Sequence, residues 1–283
     1  MIPHLPLEEL ARRYNNGAAV PDWMTTLLLR WQSESEAIRA HASGAQNVRY
    51  GDAERNLFDV FTPKGAAPKN GWPTLVFIHG GYWQRLWKDD WSVIAKPFIA
   101  KGIAAVIVGY TLCPQTTVRG IADEIETAIA HTWQQAGDLH IDRERIALAG
   151  HSAGGHLTAW CMTTDWTERR MPHTPFASAT AISGLFDLEP LVPIYLNDTL
   201  KLTNDEALLM SPAYRTRLVE CPFTAAVGGA ELEEFPRQNA LLGAHWADVN
   251  EWTLEGLNHF TIIDQLTRDD TALFRHVVAS LDV

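Results

Sequence analysis

Gly150-His151-Ser152-Ala153-Gly154-Gly155 holds a serine with a glycine two positions away on either side, the pattern G-x-S-x-G. On a tight strand-to-helix turn such a serine stands clear of its neighbours. The small flanking residues prevent clashes, and the helix that follows turns free N–H groups toward a reacting carbonyl. The pattern alone is short, but here it follows the apolar run Arg145–Ala149 and opens a helical segment, which is the context the chemistry requires. Ser152 is therefore expected to be a nucleophile. A second stretch, His79-Gly80-Gly81-Tyr82-Trp83, comes directly after the apolar run Thr74–Ile78. A loop of this kind after that strand supplies backbone donors for an oxyanion. The amides of Gly81, Tyr82 and Ala153 are expected to form that hole, each worth about 3 kcal/mol of transition-state stabilisation. His79 is expected to shape the loop without moving protons.

A serine needs a base and an orienting acid, which follow it in the order acid then histidine in this type of site. Of the 11 histidines, His259 in Gly256-Leu257-Asn258-His259-Phe260 lies just after the last apolar run, where a terminal loop can reach Ser152. His151 and His156 flank the serine too closely to act as its in-line base. The acid should follow the run Phe223–Val227. No aspartate stands there, but Glu231, Glu233 and Glu234 do. Glu231 comes first after the turn and is the expected acid, fixing the tautomer of His259 and stabilising its imidazolium. Glu233 and Glu234 read as charges favoured by a helix start.

The elements that must position these residues follow from periodicity. Residues 5–42 are helical in pattern, with Leu7, Leu10, Ala11 and Tyr14, then Trp23, Leu27, Leu28 and Trp31 at helical spacing. Gln46–Tyr50 and Leu57–Phe61 read as an antiparallel hairpin. Apolar runs at 74–78, 103–108, 145–149, 177–182, 223–227 and 251–254 then alternate with helical segments at 90–100, 118–135, 155–162, 236–244 and 271–281. That alternation predicts an α/β fold, a mostly parallel sheet with helices on both faces, made mixed by the N-terminal hairpin. One domain over residues 1–283 is expected. Residues of about 185–220 exceed an ordinary connection and are expected to form a small cap over the site.

Bulk properties narrow the setting. The chain has 283 residues, is 46% hydrophobic and carries a formal net charge of −11. An acidic surface disfavours a nucleic-acid or anionic-membrane partner. The start, Met1-Ile2-Pro3-His4-Leu5-Pro6, lacks a basic stretch followed by an apolar run, so no signal peptide is expected. No segment is apolar over the length a membrane span needs. Cys113, Cys161 and Cys221 fit neither a metal site nor a disulfide framework and read as buried reduced thiols. The triplet Asn197-Asp198-Thr199 reads as a coincidental glycosylation match. A cytoplasmic enzyme fits, and its oligomeric state is open, a homodimer included. The 11 tryptophans exceed what a core needs and suit a pocket for a flat ring.

With those residues in hand, the chain resembles the α/β-hydrolase type of kynurenine formamidase (arylformamidase). The resemblance rests on HGGYWQ (His79–Gln84), GHSAG (Gly150–Gly154), SGLFDLEPL (Ser183–Leu191), the stretch Asn197–Pro212, and GLNHFTIIDQLTRDD (Gly256–Asp270), and runs from about residue 74 to the C-terminus. It implies the α/β-hydrolase fold, Ser152 as nucleophile and His259 as base. Its acid position aligns with Glu231, where the family leads one to expect aspartate. It further implies hydrolysis of an N-formyl aryl amine such as N-formylkynurenine, without metal or cofactor. Trp83, Phe186 and Tyr195 are candidates for the aromatic wall. A carboxylesterase or another amidase acting on aryl esters, anilides or carbamates would need the same residues. A non-catalytic binding protein would not need them all intact.

Overall fold

The computed structural model describes residues 5–282, so the reading of Met1–His4 as lacking a targeting signal falls outside the described residues. The apolar runs become strands because their side chains find cover on both faces. Leu75 and Phe77 point into one core and Val76 and Ile78 into the other, and Ala105 and Ile107 oppose Val106 and Val108 in the same way. Strands β1 (Ser43–Arg49), β2 (Leu57–Thr62), β3 (Trp72–Ile78), β4 (Ala104–Val108), β5 (Ile141–His151), β6 (Ser178–Ile182), β7 (Phe223–Gly228) and β8 (Val249–Leu254) form one eight-stranded sheet. Their order is β1-β2-β4-β3-β5-β6-β7-β8. The pairs β1–β2 and β2–β4 are antiparallel and the others parallel, which is the expected mixed sheet.

Helices cover both faces. The chain begins with α1 (Leu7–Arg13) and α2 (Asn16–Ala19), then a π-helical turn, Met24–Leu28, that runs into α3 (Leu29–His41). Next come α4 (Ala95–Ala100), α5 (Val118–Gln134), α6 (Ala153–Cys161), α7 (Asn197–Leu200), α8 (Asn204–Leu209), α9 (Glu234–His245), α10 (Thr261–Asp264) and α11 (Ala272–Ala279). Apolar residues of α5, α6 and α9 enter one core, and those of α3, α4 and α11 the other. Local capping sets the starts of α5 and α11, where the Thr117 and Thr271 hydroxyls accept the Gly120 and Phe274 amides.

The N-terminal segment bridges the two cores. Leu10 and Tyr14 belong to one, Trp23, Leu28 and Trp31 to the other. Its anchors are specific. Trp31 Nε1 donates to Asp264 Oδ1 at 2.8 Å, Arg30 pairs with the same carboxylate, and the Tyr14 hydroxyl donates to Glu234 Oε2 at 3.0 Å.

The excursion between β6 and β7 carries α7 and α8 and packs through Leu185, Leu188, Leu191, Leu200 and Met210. Asn197 is committed inside it, donating to the carbonyls of Val192 and Leu202 and accepting the Leu202 amide. An asparagine so engaged is poorly placed to accept a glycan. The three cysteines are free and buried. Among the described residues no helix is long and apolar enough to cross a membrane.

Candidate active site

Ser152 sits between β5 and α6 with φ +57° and ψ −117°, a conformation an L-residue adopts only under strain. Its amide donates to Ile182 O at 2.8 Å, and its carbonyl accepts from His156 at 3.0 Å, so main-chain bonds on both sides hold the turn. The glycines are a steric requirement. A Cβ on Gly150 would lie 2.2 Å from Gly154 O, and one on Gly154 would lie 2.0 Å from Ile78 O. The second clash falls on the backbone of β3 just before the His79 loop, so neither side can yield cheaply. Gly154→Ala is therefore expected to destabilise the protein by at least about 1–3 kcal/mol. It should also lower turnover at least tenfold by displacing that loop. Thermal melts and steady-state rates check both.

The loop after β3 lies against the serine. A Cβ on Gly80 would stand 3.0 Å from Ser152 Cβ. Gly81, Tyr82 and Trp83 all have positive φ, at 112°, 51° and 58°. Among the described residues the amides of Gly81, Tyr82 and Ala153 donate to no acceptor, and Ala153 is the first residue of α6. These three are the amides expected from sequence to form the hole. His79 is fully buried, donates from Nδ1 to Gly80 O at 2.7 Å and stacks on Tyr110 at 4.2 Å. The Tyr82 hydroxyl ties the loop to the N-terminal segment by donating to Tyr14 O at 2.7 Å.

His259 stands between the serine and a carboxylate. Its Nε2 faces Ser152 Oγ at 3.1 Å, and its Nδ1 lies 2.7 Å from Glu231 Oε2. A hydrogen on Nδ1 donated to the carboxylate leaves Nε2 free to accept the serine proton. Asn258 presets the ring, because its Oδ1 accepts the amides of Phe260 and Thr261 at the start of α10. Glu231 is held in turn. Its Oε1 accepts the Gly228 amide at 2.7 Å and the Ser183 hydroxyl at 2.5 Å. Glu233 is exposed and pairs with Arg12, whereas Glu234 is buried against Tyr14 and Arg237. Neither of these two carboxylates contacts His259. Glu234 does begin a helix, as expected, but its charge is spent on fastening the N-terminal segment.

Three further histidines are buried around this centre. Burial pushes His79 down to about 3 and His156 to about 4, and it pushes His151 well below the ordinary range. His151 donates from Nε2 to His259 O at 2.9 Å, and His156 from Nε2 to Met210 O at 2.7 Å. All three rings are neutral in the folded protein and become protonated near pH 6.5 once unfolded. Their contribution to stability is therefore complete above about pH 6.5. It declines as pH falls toward the folded values, by up to about 1.4 kcal/mol per pH unit for each ring. The urea midpoint should drop steeply between about pH 6.5 and pH 5. A midpoint constant over that range would contradict the neutral assignments.

Ser152 and His259 open on one cleft. Its aromatic wall comes from Tyr14, Trp23, Trp31, Trp91, Tyr195 and Phe260. Trp23 stacks on Phe260 at 4.2 Å, and Trp31 lies 5.1 Å from Trp91. Tyr195, one of the three candidates expected from sequence, lines the cleft. Trp83 and Phe186 are corrections, since both are fully buried in the core and neither lines the cleft. Trp83 packs edge-on against His156, and Phe186 fills the space over Gly184 while its amide donates to Gln238. Their place beside motif residues explains the expectation, but side chains there turn inward to pack. Of the excursion between β6 and β7, only Tyr195 reaches the cleft. The tryptophans that line it come instead from the N-terminal segment and the turn before α4. The helical spacing of Trp23 and Trp31 is legible in the sequence, but spacing does not reveal which sheet edge a segment crosses. Among the described residues no group of His, Cys, Asp or Glu is placed to hold a metal ion.

A parallel sheet flanked by an antiparallel pair, with a strained serine after its central strand, defines an α/β-hydrolase. A family model described as BD-FAE matches residues 58–207. The kynurenine formamidase of Danio rerio is 30% identical, over 95% of this chain and 92% of that protein. The kynurenine formamidase of Drosophila melanogaster is 34% identical, over 81% of this chain and 79% of its own. The chain belongs to this family of hydrolases. A crystal structure described as a candidate thioesterase from Silicibacter sp. TM1040 superposes with a TM-score of 0.84 at 31% identity, covering 97% of this chain and 99% of that one. An esterase from Pyrobaculum calidifontis, 15% identical with a TM-score of 0.71, shares the fold.

Proposed function

We propose that this enzyme removes a formyl group from an aryl amide such as N-formylkynurenine, with Ser152 as nucleophile, His259 as base and Glu231 as the orienting acid. The observation that carries the assignment is the unbroken Glu231–His259–Ser152 contact series at the floor of an aromatic cleft. Ser152 Oγ attacks the formyl carbon while His259 Nε2 takes its proton. The resulting oxyanion meets the amides of Gly81, Tyr82 and Ala153. His259 returns the proton to the aniline nitrogen as the C–N bond breaks, leaving a formyl ester on the serine. Water, deprotonated by the same ring, then attacks that ester and releases formate. The aromatic wall suits an aryl leaving group, and the kynurenine formamidase relatives support the formyl group as the acyl portion.

The same groups would cleave a short-acyl aryl ester, and the esterase and thioesterase descriptions of the structural neighbours favour that second reading. A panel of formanilide, acetanilide, phenyl acetate and an aryl carbamate separates the two. The formamidase reading requires formanilide to outpace acetanilide by orders of magnitude. Comparable rates on both, with much faster phenyl acetate turnover, would favour the general esterase.

A further inference from the structure

Resting on the formamidase reading, we propose that Arg85 and Asn16 form a subsite for a carboxylate carried by the leaving group. The protein is acidic, with a net charge of −11, yet no aspartate or glutamate is among the residues lining the cleft. Arg85 lines it and is exposed at the mouth. Its guanidinium makes no ion pair and no hydrogen bond with any described residue, whereas Arg12, Arg13, Arg30 and Arg39 are all paired. Its stem packs on the oxyanion loop, since a Cβ on Gly81 would meet Arg85 Cγ at 3.1 Å. The cation is thus tethered beside the reacting centre.

Asn16 adds an independent observation. It lines the same cleft, is only 4% exposed, and its Nδ2 is buried without a partner. A buried amide donor left unsatisfied destabilises a folded protein unless something else meets it. Nothing in the fold requires this side chain to be polar, because the cap of α2 is supplied by Asn15. A carboxylate bridging the two side chains would satisfy Asn16 and neutralise Arg85, and guanidinium geometry favours such a partner. Ser152, 3% exposed, marks the floor of the cleft, and the exposed Arg85 marks the mouth. With the formyl carbon at Ser152, the group that extends to the mouth is the leaving group, so the carboxylate belongs to the amine product.

The test compares N-formylkynurenine, which carries a carboxylate, with formanilide, which does not. Arg85→Ala should lower kcat/KM on N-formylkynurenine about 10- to 100-fold. Most of that loss should lie in KM, and the loss on formanilide should stay under about threefold. Arg85→Lys should recover part of the loss, and Asn16→Ala should reproduce it more weakly. Equal losses on both substrates, or no loss on either, would overturn the proposal. If the wild type turns over neither formamide, the formamidase reading has failed instead. The subsite is then read on 4-acetoxybenzoate against phenyl acetate, where the same selective loss is expected and its absence refutes it.

Discussion

Replacing Ser152 with alanine is expected to reduce kcat on the order of a million-fold while leaving the fold intact. The loss is large because the acyl-enzyme route has no other nucleophile at the floor of the cleft. What survives comes from the oxyanion amides and binding alone. The fold survives because both main-chain bonds that hold the turn, from the Ser152 amide to Ile182 and from His156 to the Ser152 carbonyl, are independent of the side chain. The hydroxyl has one contact to lose, His259 Nε2 at 3.1 Å. Purified Ser152→Ala should melt within a few degrees of the wild type, show no turnover above background and resist labelling by a fluorophosphonate. Substantial residual activity with an unchanged melt would mean that another group forms the acyl intermediate.

Glu231→Gln is expected to lower kcat by about 10³- to 10⁴-fold. The change is nearly isosteric. An amide oxygen can still accept the Gly228 and Ser183 hydrogens that Oε1 accepts now. The other end of the amide then presents N–H to His259 Nδ1, which favours the tautomer whose hydrogen is on Nε2, where it cannot take the serine proton. It also removes the negative charge that stabilises the imidazolium. Glu233→Gln, which disturbs only an exposed pair with Arg12, should change kcat less than twofold. Glu234→Gln should act mainly on stability through Tyr14 and Arg237. A large kcat loss in either control with little in Glu231→Gln would transfer the acid role.

The sequence carried the reacting centre further than its surroundings. Ser152, His259 and Glu231 could be placed because each must follow a particular strand, and strands here are continuous apolar runs that periodicity detects. The hairpin and mixed sheet were legible for the same reason. What distinguishes Glu231 from its neighbours is the Gly228 amide three residues back together with the Ser183 hydroxyl, which comes from the end of a strand remote in sequence. Trp83 and Phe186 do not join the aromatic wall, because aromatic type near a motif says nothing about the direction a side chain takes. Trp23 and Trp31 share one helical stripe in the sequence, yet their place in the cleft depends on the Trp31–Asp264 contact, which fastens that stripe against the segment after His259. Long-range docking of this kind has no local signature.

The most direct test of the central claim is a comparison, on one preparation of the wild-type protein, of kcat/KM for N-formylkynurenine and for a short-chain nitrophenyl ester. Efficient release of formate from N-formylkynurenine, exceeding ester turnover and absent in Ser152→Ala, is the predicted result. Efficient ester turnover with negligible release of formate would contradict the account.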